Sequence, residues 1–189
     1  MKFVYADPPY PGQAKRHYSG HPDYAGEVDH VELIARLRDE YPDGWALSTN
    51  EQALQELLPL CPPKLPGVKG RRYMSRSGVR ILAWVKPCAP PFKGIVTHSW
   101  EPVILCGGRA PAHPVKDVLV ASPEMFTWRP RPAGHVIGAK PPMFSRWLFE
   151  CAGLSPDDEF VDLFSGSGAV AREWESWRTQ PTLLGPTIK

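Results

Sequence analysis

Apolar positions fall in short runs along this chain of 189 residues, and their spacing sets the elements to expect. Lys2–Ala6 (KFVYA) is β-prone and stops at Asp7-Pro8-Pro9, because a residue before proline is pushed out of helical geometry. Residues 28–38 carry apolar side chains at 28, 31, 33, 34 and 37, the stripe of an amphipathic helix. Gly44–Ser48 reads as a second strand, with a short helix over 51–60 behind it. Val79–Val85 (VRILAWV) is the strongest strand in the chain, and 102–106 (PVILC) is another. Residues 142–151 form a helix with Phe144, Trp147, Leu148 and Cys151 on one face. Residues 160–163 then make a strand, 164–168 a glycine turn, 169–177 a helix and 182–184 a last short strand. Strands alternating with helices predict one α/β domain layered around a largely parallel sheet. Two stretches lack periodicity and read as loops: 62–78, rich in Pro, Gly, Lys and Arg, and the proline-rich 107–139.

Composition sharpens this picture. Proline accounts for 23 of 189 residues, about 12% against a typical ~5%, which excludes a helical bundle and implies stiff loops. No apolar run reaches the ~20 residues of a membrane helix, so no membrane association is expected. Cys61, Cys88, Cys106 and Cys151 lie 27, 18 and 45 residues apart, a spacing that suits neither a zinc site nor a small disulfide framework. Reduced core cysteines in a cytosolic protein, and no bound metal, are the expectation. Charge is strongly uneven. Residues 57–149 carry 14 basic and 3 acidic side chains, whereas the segments on either side are acidic. A one-sided middle third suits a phosphate backbone, and Lys69, Arg71, Arg72, Arg76 and Lys93 are its candidate contacts.

Two motifs carry candidate chemistry. Phe160-Val161-Asp162-Leu163-Phe164-Ser165-Gly166-Ser167-Gly168 places an acidic residue in a strand before a glycine turn and a helix. The glycines let a ligand approach the backbone, and the helix start offers N–H groups to an anion. The third glycine of a dinucleotide fingerprint and the Lys-Ser/Thr of a P-loop are both missing, so neither NAD nor ATP is favoured. The second motif, Asp7-Pro8-Pro9-Tyr10, sets a carboxylate, a carbonyl and a ring at the end of the first strand. Two acceptors and a ring suit a planar base with an amino donor, adenine or cytosine.

Together these motifs resemble the S-adenosyl-L-methionine-dependent amino-methyltransferases of nucleic-acid bases. With DPPY first and FSGSG last, the chain resembles the β-class DNA enzymes and the MT-A70-like adenine methyltransferases. Ala83-Trp84-Val85-Lys86-Pro87, His98-Ser99-Trp100-Glu101-Pro102, Gly134-His135 and Lys140-Pro141 extend the resemblance over nearly the whole chain. It implies a Rossmann-like methyltransferase fold with circularly permuted motif order and a small loop-rich insertion, residues 160–163 lying beside Lys2–Ala6. Asp7, Pro8, Pro9 and Tyr10 would then be catalytic. Asp162, Phe164, Ser165, Gly166, Gly168, Lys86, Lys140 and Pro141 would hold S-adenosyl-L-methionine, the two lysines at its carboxylate. The target base would be flipped out onto Tyr10. Loops 62–78 and 107–139 would meet the nucleic acid, double-stranded DNA by preference. The leading expectation is methylation of the adenine N6 amino group in DNA. RNA adenine methylation, cytosine-N4 methylation of DNA and a non-catalytic adaptor subunit are the alternatives, with a homodimer or heterodimer open. One departure is that the acidic or amide residue that many members use to hold the cofactor ribose does not follow residues 182–184.

Overall fold

The computed structural model describes residues 1–12, 14–15, 26–64, 78–86, 93–94, 96–121 and 139–180. Lys69, Arg71, Arg72, Arg76, His135 and the strand expected at 182–184 lie outside the described residues. Among those described, six strands form one sheet: β1 Lys2–Ala6, β2 Gly44–Ser48, β3 Val79–Val85, β4 Trp100–Gly107, β5 Val118–Val120 and β6 Glu159–Asp162. Their spatial order is β5-β3-β4-β2-β1-β6. β1 pairs in parallel with β2 and β6, as β3 does with β5, while β4 runs against both its neighbours. The sheet is therefore largely parallel, as the alternation of elements predicts. The helices are α1 His30–Glu40, α2 Leu54–Leu57 with a 3-10 turn at Leu58–Leu60, α3 Pro142–Ala152 and α4 Ala169–Arg178.

β1 and β2 are interior strands of the sheet and are buried on both faces, so their side chains alternate between two cores. Phe3, Tyr5, Leu82, Trp84, Val103 and Leu105 pack against α3 and α4. Val4, Ala6, Trp45, Leu47 and Ile104 pack against Leu33, Ile34 and Leu37 of α1. Phe144 of α3 is fully buried, its ring centroid 5.0 Å from that of Trp84 and 5.9 Å from that of Tyr5. Truncating such a ring costs ~3–5 kcal/mol. That packing fixes the start of α3, and with it Lys140 and Pro141, against the sheet.

Several boundaries differ from the sequence expectation for identifiable reasons. Asp29 accepts hydrogen bonds from the backbone N–H of Val31 and Glu32, so α1 begins after it rather than at residue 28. The helix expected over 51–60 is delayed by Asn50, whose side chain accepts from Ala53 N, and ends as a 3-10 turn that contains Pro59. β4 starts two residues early and takes in Pro102, whose carbonyl accepts from Thr49 N just beyond the end of β2. A missing N–H costs little there because the neighbouring strand has already stopped. β5 lies inside the stretch expected to be irregular, and its three residues are too few to show a period.

Trp174 is buried and stacks on Phe160 and Trp177 at 5.2 and 5.3 Å, so it belongs to the core. Cys61, Cys106 and Cys151 are unpaired thiols; burial pushes Cys61 up to about 11 and Cys151 up to about 12. Among the described residues no three ligating side chains cluster as a metal site, and no helix is long and apolar enough to cross a membrane.

Candidate active site

β6 comes late in the chain yet lies against β1, with Tyr5 opposite Asp162. The ladder continues one step further, Leu163 N donating to Tyr5 O at 2.9 Å. Two parallel neighbours end side by side, so Asp7-Pro8-Pro9-Tyr10 and Phe164–Gly168 follow adjacent strands at the carboxyl edge of the sheet. Open α/β sheets bind ligands in that position.

Asp7 follows the last residue of β1. Its Oδ2 accepts a hydrogen bond from Lys140 Nζ at 2.6 Å, and Oδ1 receives none from the described residues. Burial raises the Asp7 carboxyl above its ordinary range, and the Lys140 ammonium opposes that rise. Lys140 is itself buried. Its ammonium lies 5.5 Å from the centre of the Trp84 ring, 5.8 Å from that of Phe144 and 3.9 Å from Glu101 Oε2. Lys86, at the end of β3, lies 4.3 Å over the same Trp84 ring and pairs with Glu101 Oε1. Burial lowers the Lys86 ammonium, with Glu101 acting against it. On the floor of this cluster the Tyr5 hydroxyl shares a 2.7 Å hydrogen bond with Ser48, and burial holds its phenol well above the ordinary value.

The glycine turn is built differently. Pro8 is buried and Phe164 half-buried, but Ser165 and Gly166 are exposed. Gly168 has φ +67°, the left-handed region glycine adopts without penalty, and stands as N-cap of α4. Its N–H donates to Ser165 O, while Arg172 Nη1 donates to Ser167 O and braces the turn from outside. A side chain at Gly166 would meet nothing nearer than Phe164 O at 3.8 Å, so the turn leaves space above it. Beside it, Oδ1 of Asp162 is buried with no hydrogen-bond partner among the described residues. Burial, with a further push from the Asp7 charge, raises this carboxyl to about 6, against a pull from the Ala171 backbone N–H.

The Asp162 shift has a testable sign. A carboxyl raised in the fold costs stability above about pH 6, where it is ionised, and the cost fades as pH falls toward its unfolded value of about 3.9. Asp162→Asn is therefore expected to raise the melting temperature by ~2–4 °C at about pH 7.5 and by much less at about pH 4.5. Scanning calorimetry at both values checks this. Equal shifts at the two pH values would place the cost elsewhere.

The structure thus brings together Asp7, Asp162, Lys86, Lys140 and Pro141, with Phe164, Ser165, Gly166 and Gly168 on the adjacent loop. Pro9 and Tyr10 are half-buried beside Asp7. Lys93 is exposed on a separate turn, and the other expected nucleic-acid contacts lie outside the described residues. Glu101, which ties the lysines together, was not among the expected site residues. A signal was present: it is the only acidic residue between Glu56 and Asp117, in an otherwise basic stretch.

This architecture recurs in solved proteins. The crystal structure of the M1.HpyAVI–SAM complex matches with a TM-score of 0.59 at 14% identity, covering 94% of this chain and 78% of that one. The crystal structure of M1.HpyAVI matches with a TM-score of 0.56 at 12% identity, over 94% and 76% of the two chains. The fold is the Rossmann-like methyltransferase fold. Neither a family model nor a curated protein sequence matches the chain. Within this methyltransferase fold, the DPPY and FSGSG loops end the two neighbouring strands β1 and β6.

Proposed function

We propose that the chain is an S-adenosyl-L-methionine-dependent methyltransferase acting on the exocyclic N6 amino group of adenine in DNA. The observation that carries this reading is the placement of Asp7 and the Phe164–Gly168 turn directly after two adjacent parallel strands, at the same edge of the sheet. A fold likeness to a protein solved with SAM supports the choice of cofactor. The residues present fit that group: the unpartnered Asp162 Oδ1 suits its ammonium, and the space over Gly166 suits its methionine portion. Bound there, the cofactor supplies an electrophilic methyl group on a sulfonium.

Every other part is played by the chain's own side chains. Asp7 Oδ1 accepts a hydrogen bond from the target amino group, with the Pro8 carbonyl as second acceptor. Both bonds strengthen as that nitrogen becomes pyramidal and partly positive, which lowers the barrier rather than merely tightening binding. Lys140 opposes the burial that raises the Asp7 carboxyl and holds it in one orientation. Lys140 pairs with Asp7 at 2.6 Å, and its ammonium has further donors that could meet the cofactor's carboxylate. Tyr10 provides a face on which the flipped base stacks. The basic segments 62–78 and 107–139 supply phosphate contacts.

Incubation with isotopically labelled cofactor and DNA or RNA of defined sequence, followed by nucleoside mass spectrometry, tests the proposal. N6-methyladenine in DNA is the expected product. Methylcytosine alone, or a methyl group on a ring carbon, would overturn the assignment, and methylation confined to RNA would change the substrate.

A further inference from the structure

Asp7 has two ammonium groups within electrostatic reach, and only one of them is bonded to it. Lys86 and Lys140 both sit on the Trp84 ring, at 4.3 and 5.5 Å from its centre. Asp7 and Lys86 influence each other's protonation, each favouring the charged form of the other. Glu101 stands between these charges. Its Oε1 takes the Lys86 ammonium, while Oε2 is buried without a hydrogen bond, 3.9 Å from Lys140. The arrangement is an alternating chain, Asp7–Lys140–Glu101–Lys86, closed at its outer end by a lysine that is 27% exposed. A long, flexible ammonium that loses one carboxylate partner turns to the next one available. Here that next carboxylate is Asp7.

From this geometry we infer that Glu101 is a positioning residue that keeps Lys86 off Asp7, so that one oxygen of Asp7 stays open to the target amino group. The inference rests on the methyl-transfer reading for its consequence, but the pairing it describes can be tested alone. Without Glu101, both ammonium groups converge on Asp7, and Oδ1 is bonded before substrate arrives. A residue that merely supports the local fold would not behave in this way. Its loss could still couple to Lys86 through their direct ion pair, but it would not make the pKa of Asp7 depend on Lys86.

The test is a double-mutant cycle of Glu101→Gln and Lys86→Gln in the full chain, read in two ways. In single-turnover methyl transfer, Glu101→Gln is expected to cost at least ~10-fold with Lys86 present and less than ~3-fold in the Lys86→Gln background. Run at saturating cofactor, the rates carry no contribution from any role of Lys86 in cofactor affinity. In the second arm, the Asp7 carboxyl is titrated by carbon-13 NMR, its signal assigned with Asp7→Asn. Glu101→Gln should lower its pKa more when Lys86 is present than when it is absent. Equal shifts of the Asp7 pKa in both backgrounds would overturn the inference, whatever the rates show. If the unaltered protein methylates neither DNA nor RNA, the functional reading falls. The NMR cycle then still decides whether Glu101 holds Lys86 away.

Discussion

Asp7→Ala is expected to reduce methyl transfer to adenine by at least ~10²-fold while leaving S-adenosyl-L-methionine binding within a few-fold. Asp7 sits at the end of the central strand β1, where Phe3, Val4, Tyr5 and Ala6 are fully buried. Its backbone therefore cannot drift, and its carboxylate is aimed by the Lys140 bond at 2.6 Å. A pre-aimed acceptor adds most when charge develops on the nitrogen, so the loss should appear in the rate and not in cofactor affinity. The cofactor-facing side, Asp162 and the Phe164–Gly168 turn, is carried by β6 and is untouched by the change. The alanine variant also takes from the buried Lys140 its 2.6 Å carboxylate partner, leaving Glu101 at 3.9 Å among the described residues, so some stability is lost as well. Asp7→Asn keeps the shape of the side chain and separates that loss from the chemistry. Single-turnover rates, calorimetric titration of the cofactor and thermal melts on both variants make the check. Unaltered turnover in the alanine variant would reduce Asp7 to a turn residue.

Valine at Gly166 or Gly168 is expected to abolish S-adenosyl-L-methionine binding, and the two positions should fail for different reasons. At Gly168, φ is +67° and a Cβ would lie 2.9 Å from Arg172 Nη1, the group that braces the turn through Ser167 O. A β-branched residue in that left-handed conformation costs ~1–3 kcal/mol and forces the start of α4 to move. Gly168→Val should therefore lose both stability and binding. At Gly166, φ is +47° but a Cβ would point into open space, with Phe164 O the nearest atom at 3.8 Å. Gly166→Val should fold with a smaller stability loss, and its side chain would fill the room assigned to the methionine portion of the cofactor. Calorimetric titration with S-adenosyl-L-methionine and thermal unfolding of both variants separate the two effects. A folded Gly166→Val protein with normal cofactor affinity would refute the turn as the cofactor's cradle.

Much of this protein can be read locally. β1, β2, β3, α3 and α4 follow from periods of two and 3.6 over five or more residues, because each buries one or both faces against a core. The two loops with candidate chemistry are equally local: two prolines stop β1 at Asp7, and two glycines reverse the chain after β6. Even the neighbourhood of β1 and β6 is legible once the order of the motifs is recognised. β5 is not, since three residues hold no period and its strand character comes from pairing with β3.

Which charged groups exist is written along the chain, but how they pair is a property of the fold. Lys140 reads as an anion-binding lysine in either role, for a cofactor carboxylate or for Asp7. The two residues are 133 positions apart, and their 2.6 Å contact exists because Phe144 anchors the start of α3 over the end of β1. Glu101 shows the same limit, standing opposite Trp84 only because β3 and β4 run antiparallel in that register. A long ammonium or carboxylate side chain can reach several partners at nearly equal local cost. Which one it takes depends on burial and on the other charges nearby, and the fold alone sets both.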